Sequence, residues 1–262
     1  PEVASINLIG SSTETTIING NNSGSVITIF SGEFSIVNSN TVLSGFTLLN
    51  GSAQSAYPHD RGGGIFLYNS APTIQDIVIQ DCNASYGGGI AAINSSPIFD
   101  HVTITSNISQ NSGGGLYCDN SSPEIDQSNI IDNIAQTYGG GVYCNDDSSP
   151  VFYYCQISGN IAESGGGISI FDGSHPLIDN TNITDNQAFR GGGIASFFDS
   201  DPIFTAVMIT NNFADSTGGG VYSTYGIPEF YNCIISENTA EVGGGLSIGS
   251  NDSPIFINTE IN

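Results

Sequence analysis

Lysine and tryptophan are missing from this 262-residue chain, and arginine occurs only twice, at Arg61 and Arg190. Against those two cations stand 25 acidic residues, for a net charge of −23. A surface so short of positive charge repels phosphate backbones and anionic lipid, so nucleic acid is not an expected partner. No stretch reaches the roughly 18 apolar residues of a membrane-spanning helix, and no basic segment leads into an apolar run as in a signal peptide. The five cysteines, Cys82, Cys118, Cys144, Cys155 and Cys233, include no Cys-x-x-Cys pair. Zinc-finger and thioredoxin-like readings fall with it. Helical periodicity is absent as well. The chain starts at Pro1 without methionine, so the expectation is a mature, processed or excised segment.

What is present is a repeat. Apolar residues make up 38% of the chain, and their strict patterning argues against the disorder that such charge would otherwise suggest. Glycine triplets start at Gly62, Gly87, Gly113, Gly139, Gly165, Gly191, Gly218 and Gly243, in steps of 25 to 27 residues. Prolines keep step with them at Pro72, Pro97, Pro123, Pro150, Pro176, Pro202, Pro228 and Pro254. Two places after each proline comes Ile or Phe, and seven places after comes Ile without exception, from Ile79 to Ile261. Ten places after comes an asparagine column, Asn107, Asn133, Asn160, Asn186, Asn212 and Asn238, whose first slot holds Cys82. The residue after each triplet is Ile, Leu or Val. Like residues recurring at one period imply parallel strands stacked in register about 4.8 Å apart. Asparagine tolerates left-handed backbone, and its amide can bond along such a stack, so the column reads as a corner ladder. The eight triplets read as tight corners rather than as phosphate loops.

These columns predict an all-β chain, a right-handed parallel β-helix of about ten coils of about 26 residues, on the order of 50 Å long. Residues 1–61 read as roughly two coils without triplets, with strands at Ile6–Ile9, Thr16–Ile18, Val26–Phe30 and Val42–Leu49 and with Leu48 in the isoleucine slot. Residues 62–262 carry the eight triplet repeats, continuous with the first part as one solenoid. Between Ala53 and Gly62 stand eight residues where other repeats have two or three, an inserted loop holding His59, Asp60 and Arg61.

The runs Ser-Pro-Ile-Phe, the Ile strand ending in Asn, and Gly-Gly-Gly-Ile or Gly-Gly-Gly-Val-Tyr resemble the β-helix repeats of bacterial and archaeal secreted and surface proteins. They are also similar to the Gly-Gly-x-Ile repeats of chlamydial polymorphic outer-membrane proteins, although the Phe-x-x-Asn partner motif of that family is not kept: Phe99 leads to Val102 and Phe152 to Cys155. Gly20–Ile29 and Leu43–Leu48 look like the first coils of pectin-lyase-like proteins. That resemblance implies a fold that hosts polysaccharide lyases and hydrolases. Lyase chemistry on a uronate calls for cationic side chains, of which this chain has two. Asp146-Asp147 is the one Asp-Asp pair of the hydrolase type, and His101 and His175 have no consistent partner.

Two to five residues past the triplets, outward positions carry Phe66, Tyr68, Tyr117, Tyr143, Phe171, Phe197, Tyr222 and Tyr225, flanked by Asp119, Asp146, Asp147 and Asp172. Rings beside carboxylates can stack on and hydrogen-bond sugars, so this aromatic and acidic face is the candidate glycan-binding surface. The same acids could hold Ca²⁺, the common extracellular cation, though no calcium-binding nonapeptide repeat is present. Cys118 and Cys144 share a slot in adjacent coils, within disulfide range. A disulfide and two stacked buried thiols both stay open. Asn-x-Ser/Thr sites such as Asn83 and Asn107 are candidate glycosylation points. The chain stops at Asn262 inside a repeat, which leads to the expectation of a piece of a longer surface protein or of head-to-tail association into filaments. The reading is thus an extracellular or cell-surface structural and adhesive β-helix, a stalk or filament subunit; the alternative is a carbohydrate-binding or polysaccharide-degrading β-helix.

Overall fold

A computed structural model describes residues 2–4, 6–32 and 35–262. The chain winds as a right-handed parallel β-solenoid of about nine turns. Each turn contributes to three ladders, called proline-led, asparagine-led and glycine-led after the residue that stands before the strand in most turns. In the proline-led ladder a turn supplies two short strands, such as Ile98–Asp100 and Thr103–Thr105, which pair with the same two segments in the next turn. The asparagine-led ladder has seven strands, from Ser52–Ala53 to Phe213–Thr217. The glycine-led ladder has nine, from Ile27–Phe30 to Leu246–Ile248. Neighbouring rungs lie about 4.8 Å apart, so the rod is on the order of 45 Å long.

The first coils join this ladder directly. Ile17–Asn19 pairs with Val42–Leu49 and puts Ile18 beside Leu48, which pairs in turn with Ile79. Ile27–Phe30 pairs with Ile65–Tyr68 across the inserted segment. Glu2–Ala4 and Ser35–Val37 form a separate two-stranded ribbon.

Columns that repeat in sequence become stacks in space. From Ile79 to Ile235 every isoleucine of the seven-after-proline column is buried. Phe204, Phe230 and Phe256 stack with ring centroids 4.8 and 5.0 Å apart and nearly parallel planes. The lumen is thus filled by like side chains in contact, each rung shielding the next from water.

The polar stack is the more demanding one. Asn107, Asn133, Asn160, Asn186 and Asn212 are all buried. Asn160 Oδ1 accepts from the backbone N and Nδ2 of Asn133, while its own Nδ2 donates to the Ile130 carbonyl and to Asn186 Oδ1. Asn133, Asn186 and Asn212 repeat this arrangement, which meets the requirement that buried polar groups be paired. Cys82, in the first slot, donates its backbone N–H to Asn107 Oδ1 and accepts from the Gly51 N–H on sulfur. The expected left-handed backbone falls one residue earlier, at Ser106, Asp132, Gly159, Asp185, Asn211 and Glu237. The asparagine itself must turn its side chain inward, so its predecessor makes the bend. Burial also closes Asn107 to glycosylation in the folded chain.

A serine ladder runs along the opposite corner, two residues before each proline from Pro72 to Pro202. Ser70, Ser95, Ser121 and Ser148 donate backbone N–H groups to the next rung's serine hydroxyl. At the glycine corner, the first glycine of each triplet has φ between 61° and 68°. The second lies against two backbone segments of the next coil: a Cβ at Gly114 would overlap the Gly140 and Ile134 carbonyls. The corner is therefore denied side chains, and it turns back against the glycine-led ladder.

Replacing Asn160 with alanine strips donors and acceptors from two flanking rungs and should cost about 3 kcal/mol or more in chemical denaturation. Ile157→Ala should cost roughly 2–5 kcal/mol through the cavity it leaves. A loss below about 1 kcal/mol for Asn160→Ala would show that water replaces the ladder without penalty.

Candidate functional site

The side-chain-free glycine corner leaves a groove along the rod. One wall is the column of residues just before each triplet: Arg61, Tyr86, Ser112, Tyr138, Ser164, Arg190, Thr217 and Val242 are successive rung partners. The other wall is the outward column of the glycine-led ladder, Phe66, Ala91, Tyr117, Tyr143, Ser169, Ala195 and Tyr222. Two residues further on, Tyr68, Ile93, Asp119 and Asn145 form a second outward column.

Rings fill this groove by leaning across it. Tyr86 packs edge-on to Tyr117 at 5.4 Å between centroids, and Tyr117 stacks on Tyr143 at 5.5 Å. Tyr138 stacks on Tyr143 at 5.8 Å and meets Phe171 at 4.7 Å. Phe171 continues to Phe197 at 4.5 Å, and Phe197 to Tyr222 at 5.5 Å. The result is a ring-to-ring strip spanning most of the rod. Its members point away from the lumen yet bury one another: Tyr117 is 5% exposed, Tyr143 and Phe197 are each 8%. Tyr68, Phe198 and Tyr225 are the more open rings beside it.

Both arginines stand in the corner column. The inserted segment leaves the ladder after Ala53 and rejoins it at Arg61, whose backbone bridges Tyr86. The Arg61 guanidinium carbon lies 4.8 Å from the Tyr86 ring centre, 5.3 Å from that of Tyr57 and 5.6 Å from that of Tyr117. Asp60 and Asp119 neutralise it, with Nε 3.5 Å from Asp60 and Nη1 3.7 Å from Asp119. Neither nitrogen makes a hydrogen bond. Arg190 lies over the Phe189 ring at 5.5 Å. A recess of about 230 Å³ opens beside it, lined by Tyr138, Glu163, Ser164, Arg190 and the rings of Phe171, Phe197 and Phe198.

Burial pushes the Tyr117 hydroxyl up to about 12, with Asp119 adding to the shift and Arg61 opposing it. Tyr143 is raised by burial as well, and its hydroxyl donates to Asn145 Oδ1 at 3.2 Å. These phenols are neutral hydrogen-bonding groups at neutral pH.

Of the residues singled out from sequence, Tyr68, Tyr117, Asp119, Tyr143, Phe171, Phe197 and Tyr222 share this outer face. Asp146, Asp147 and Asp172 lie elsewhere, exposed and left-handed at the corner after the glycine-led strand, where the Asp147 N–H donates to the Asp172 carbonyl. Among the described residues no group of three or more acidic, histidine or cysteine side chains is placed to hold a metal ion. His59 is exposed on the inserted segment, and Asp60 accepts backbone N–H groups from Ser85 and Tyr86. Cys118 and Cys144 are ladder partners in the lumen and stand as buried free thiols. Tyr86, Tyr138, Glu163 and Phe198 were not singled out. The signal for the first two was in the sequence, because each directly precedes a glycine triplet as Arg61 and Arg190 do.

A family model described as the right handed beta helix region matches residues 63–206. No curated protein matches the sequence. Among solved structures, pectate lyase Pel9A is similar at 12% identity and a TM-score of 0.48, over 96% of this chain and 79% of that one. Likeness at that level carries no inference about chemistry.

Burial also raises the thiols, Cys82 and Cys155 to about 11 and Cys118 well above its ordinary range. In the unfolded chain these groups ionise at ordinary values, so between those values and the raised ones the folded state holds more protons. Stability should be fully present below about pH 8.5 and fall as pH climbs above it. Urea midpoints measured from pH 8 upward check this, and Cys118→Ala with Cys144→Ala should flatten the decline.

Proposed function

The chain belongs to the right-handed β-helix region family, and from that premise we propose that it is an extracellular or surface-displayed adhesive rod whose corner groove binds glycans. A fold of this kind specifies a scaffold and not a chemistry, so the reading rests on the groove. One observation carries it: in a chain of net charge −23, the only two arginines both stand in the corner column beside the aromatic strip. Aromatic faces stack on the C–H faces of sugar rings, while guanidinium and carboxylate groups bond the hydroxyls around them. The Arg190 recess supplies both kinds of group, with Glu163 as acceptor and Arg190 as donor. Arg61, by contrast, is held by Asp60 and Asp119 and by the faces of the surrounding rings, so the recess at Arg190 is where a ligand would be met. Rungs repeat about every 4.8 Å along the groove, comparable with one pyranose unit of an extended polysaccharide. One guanidinium and one carboxylate lining the recess suit holding a sugar, whereas cleavage of a glycosidic bond is carried by two carboxylates. The resemblance of the repeats to those of secreted and surface proteins is what supports the extracellular setting.

A glycan array probed with the intact chain tests this reading. Binding to a defined set of glycans is expected, and Arg190→Ala or Tyr138→Leu should weaken it about tenfold. Arg190→Ala should leave the thermal midpoint unchanged, since Arg190 is exposed. An array on which the wild-type chain retains no glycan would sink the proposal.

A further inference from the structure

The inserted segment builds a second pocket, separate from the Arg190 recess. Its floor is the first two rungs of the outer face, where Thr28 pairs with Phe66 and Phe30 with Tyr68. Tyr57, Pro58 and His59 of the insertion close its side, leaving a cavity of about 350 Å³. Two of its rings stand open, Phe30 at 64% exposed and Tyr57 at 68%, whereas Phe66 beneath them is buried. Four rings, Phe30, Tyr57, Phe66 and Tyr68, thus line a space that the insertion closes on one side.

The chemistry of the lining selects the occupant. Its side-chain polar groups are the Thr28 and tyrosine hydroxyls and the His59 ring; no carboxylate or amide side chain lines it. A sugar or a primary ammonium needs hydrogen-bond partners on several sides. A quaternary ammonium needs none, because its charge is spread over methyl groups that rest against ring faces. Charge complementarity points the same way, since a chain of net charge −23 draws cations to its surface. The molecule already uses one of these rings in this manner: the Arg61 guanidinium lies over Tyr57 at 5.3 Å, with its own charge cancelled by Asp60 and Asp119. Arg61 is not among the residues lining the pocket.

We propose that the pocket formed by Phe30, Tyr57, Phe66 and Tyr68 binds a quaternary ammonium group of the choline type.

Isothermal titration of the intact chain with choline chloride, at fixed ionic strength, tests this. Saturable binding is expected, about tenfold or more tighter than for ammonium chloride and than for the uncharged isostere in which a tert-butyl group replaces the trimethylammonium. Tyr57→Leu should weaken choline binding about tenfold, and Tyr57→Phe should change it by no more than about twofold. Tyr57 is exposed, and unchanged circular dichroism would confirm that both variants fold. Vesicles of phosphatidylcholine separate the sources of the headgroup. Co-sedimentation that free choline competes away would assign the site to a lipid surface, and binding of choline without co-sedimentation would assign it to a free compound. Equal binding of the uncharged isostere, or no saturable choline binding, overturns the proposal. Retention of hexoses by this pocket, abolished by Tyr57→Leu, would overturn it in favour of a sugar subsite. Glycan binding at the Arg190 recess is unaffected by either result, so the two readings fail separately.

Discussion

Backbone hydrogen bonds between successive coils run along the rod, and they hold each residue above its counterpart one repeat earlier. Everything else in the molecule follows from that constraint. Because like must stack on like, a side chain is acceptable only if it can pack against a copy of itself. Isoleucine does so by surface contact. Phenylalanine does so by parallel stacking, as in Phe204, Phe230 and Phe256. Asparagine does so because it is donor and acceptor at once, so that Asn133, Asn160 and Asn186 satisfy each other and the backbone of the rung before. An aspartate or lysine in that slot would meet its own charge in the next coil at close range, buried.

The same rule explains where the charge went. Excluded from the lumen by self-repulsion, the acidic groups occupy corners and outward positions, and many sit at left-handed bends such as Asp132, Asp146, Asp147 and Asp185. Short acidic and amide side chains tolerate that backbone. The strongly negative surface is in part a by-product of the corner geometry. Against that background the placement of the two arginines stands out, since both occupy the column that borders the rings.

The glycine triplet does more than turn the chain. Its absent side chains make the floor of a groove, and the residues on either side lean over it. Tyr86 and Tyr138 from one wall meet Tyr117 and Tyr143 from the other. The insertion before Gly62 then modifies this surface at one end only, where Phe30 and Tyr57 stand open while Tyr117, Tyr143 and Phe197 further along are covered. A uniform scaffold thereby acquires two distinct places, the Arg190 recess and the Tyr57 pocket.

The order of residues alone shows the class of fold, the 26-residue period and nearly every lumen residue, because a periodic structure writes its contacts into the chain at one fixed spacing. It also located the insertion and the outward aromatics Tyr68, Tyr117, Tyr143, Phe171, Phe197 and Tyr222. Columns counted forward from proline were legible for that reason, and about ten coils were expected where the proline-led rungs bound about nine full turns. That the column before the triplets folds back against the column after them is visible only in the folded rod. That contact joins residues whose separation in sequence reflects the angle of a corner, and a corner angle has no period to read. It separated Asp146, Asp147 and Asp172 from the rings, brought Tyr86, Tyr138, Glu163 and Phe198 toward them, and turned a row of outward aromatics into a groove that buries most of its own surface.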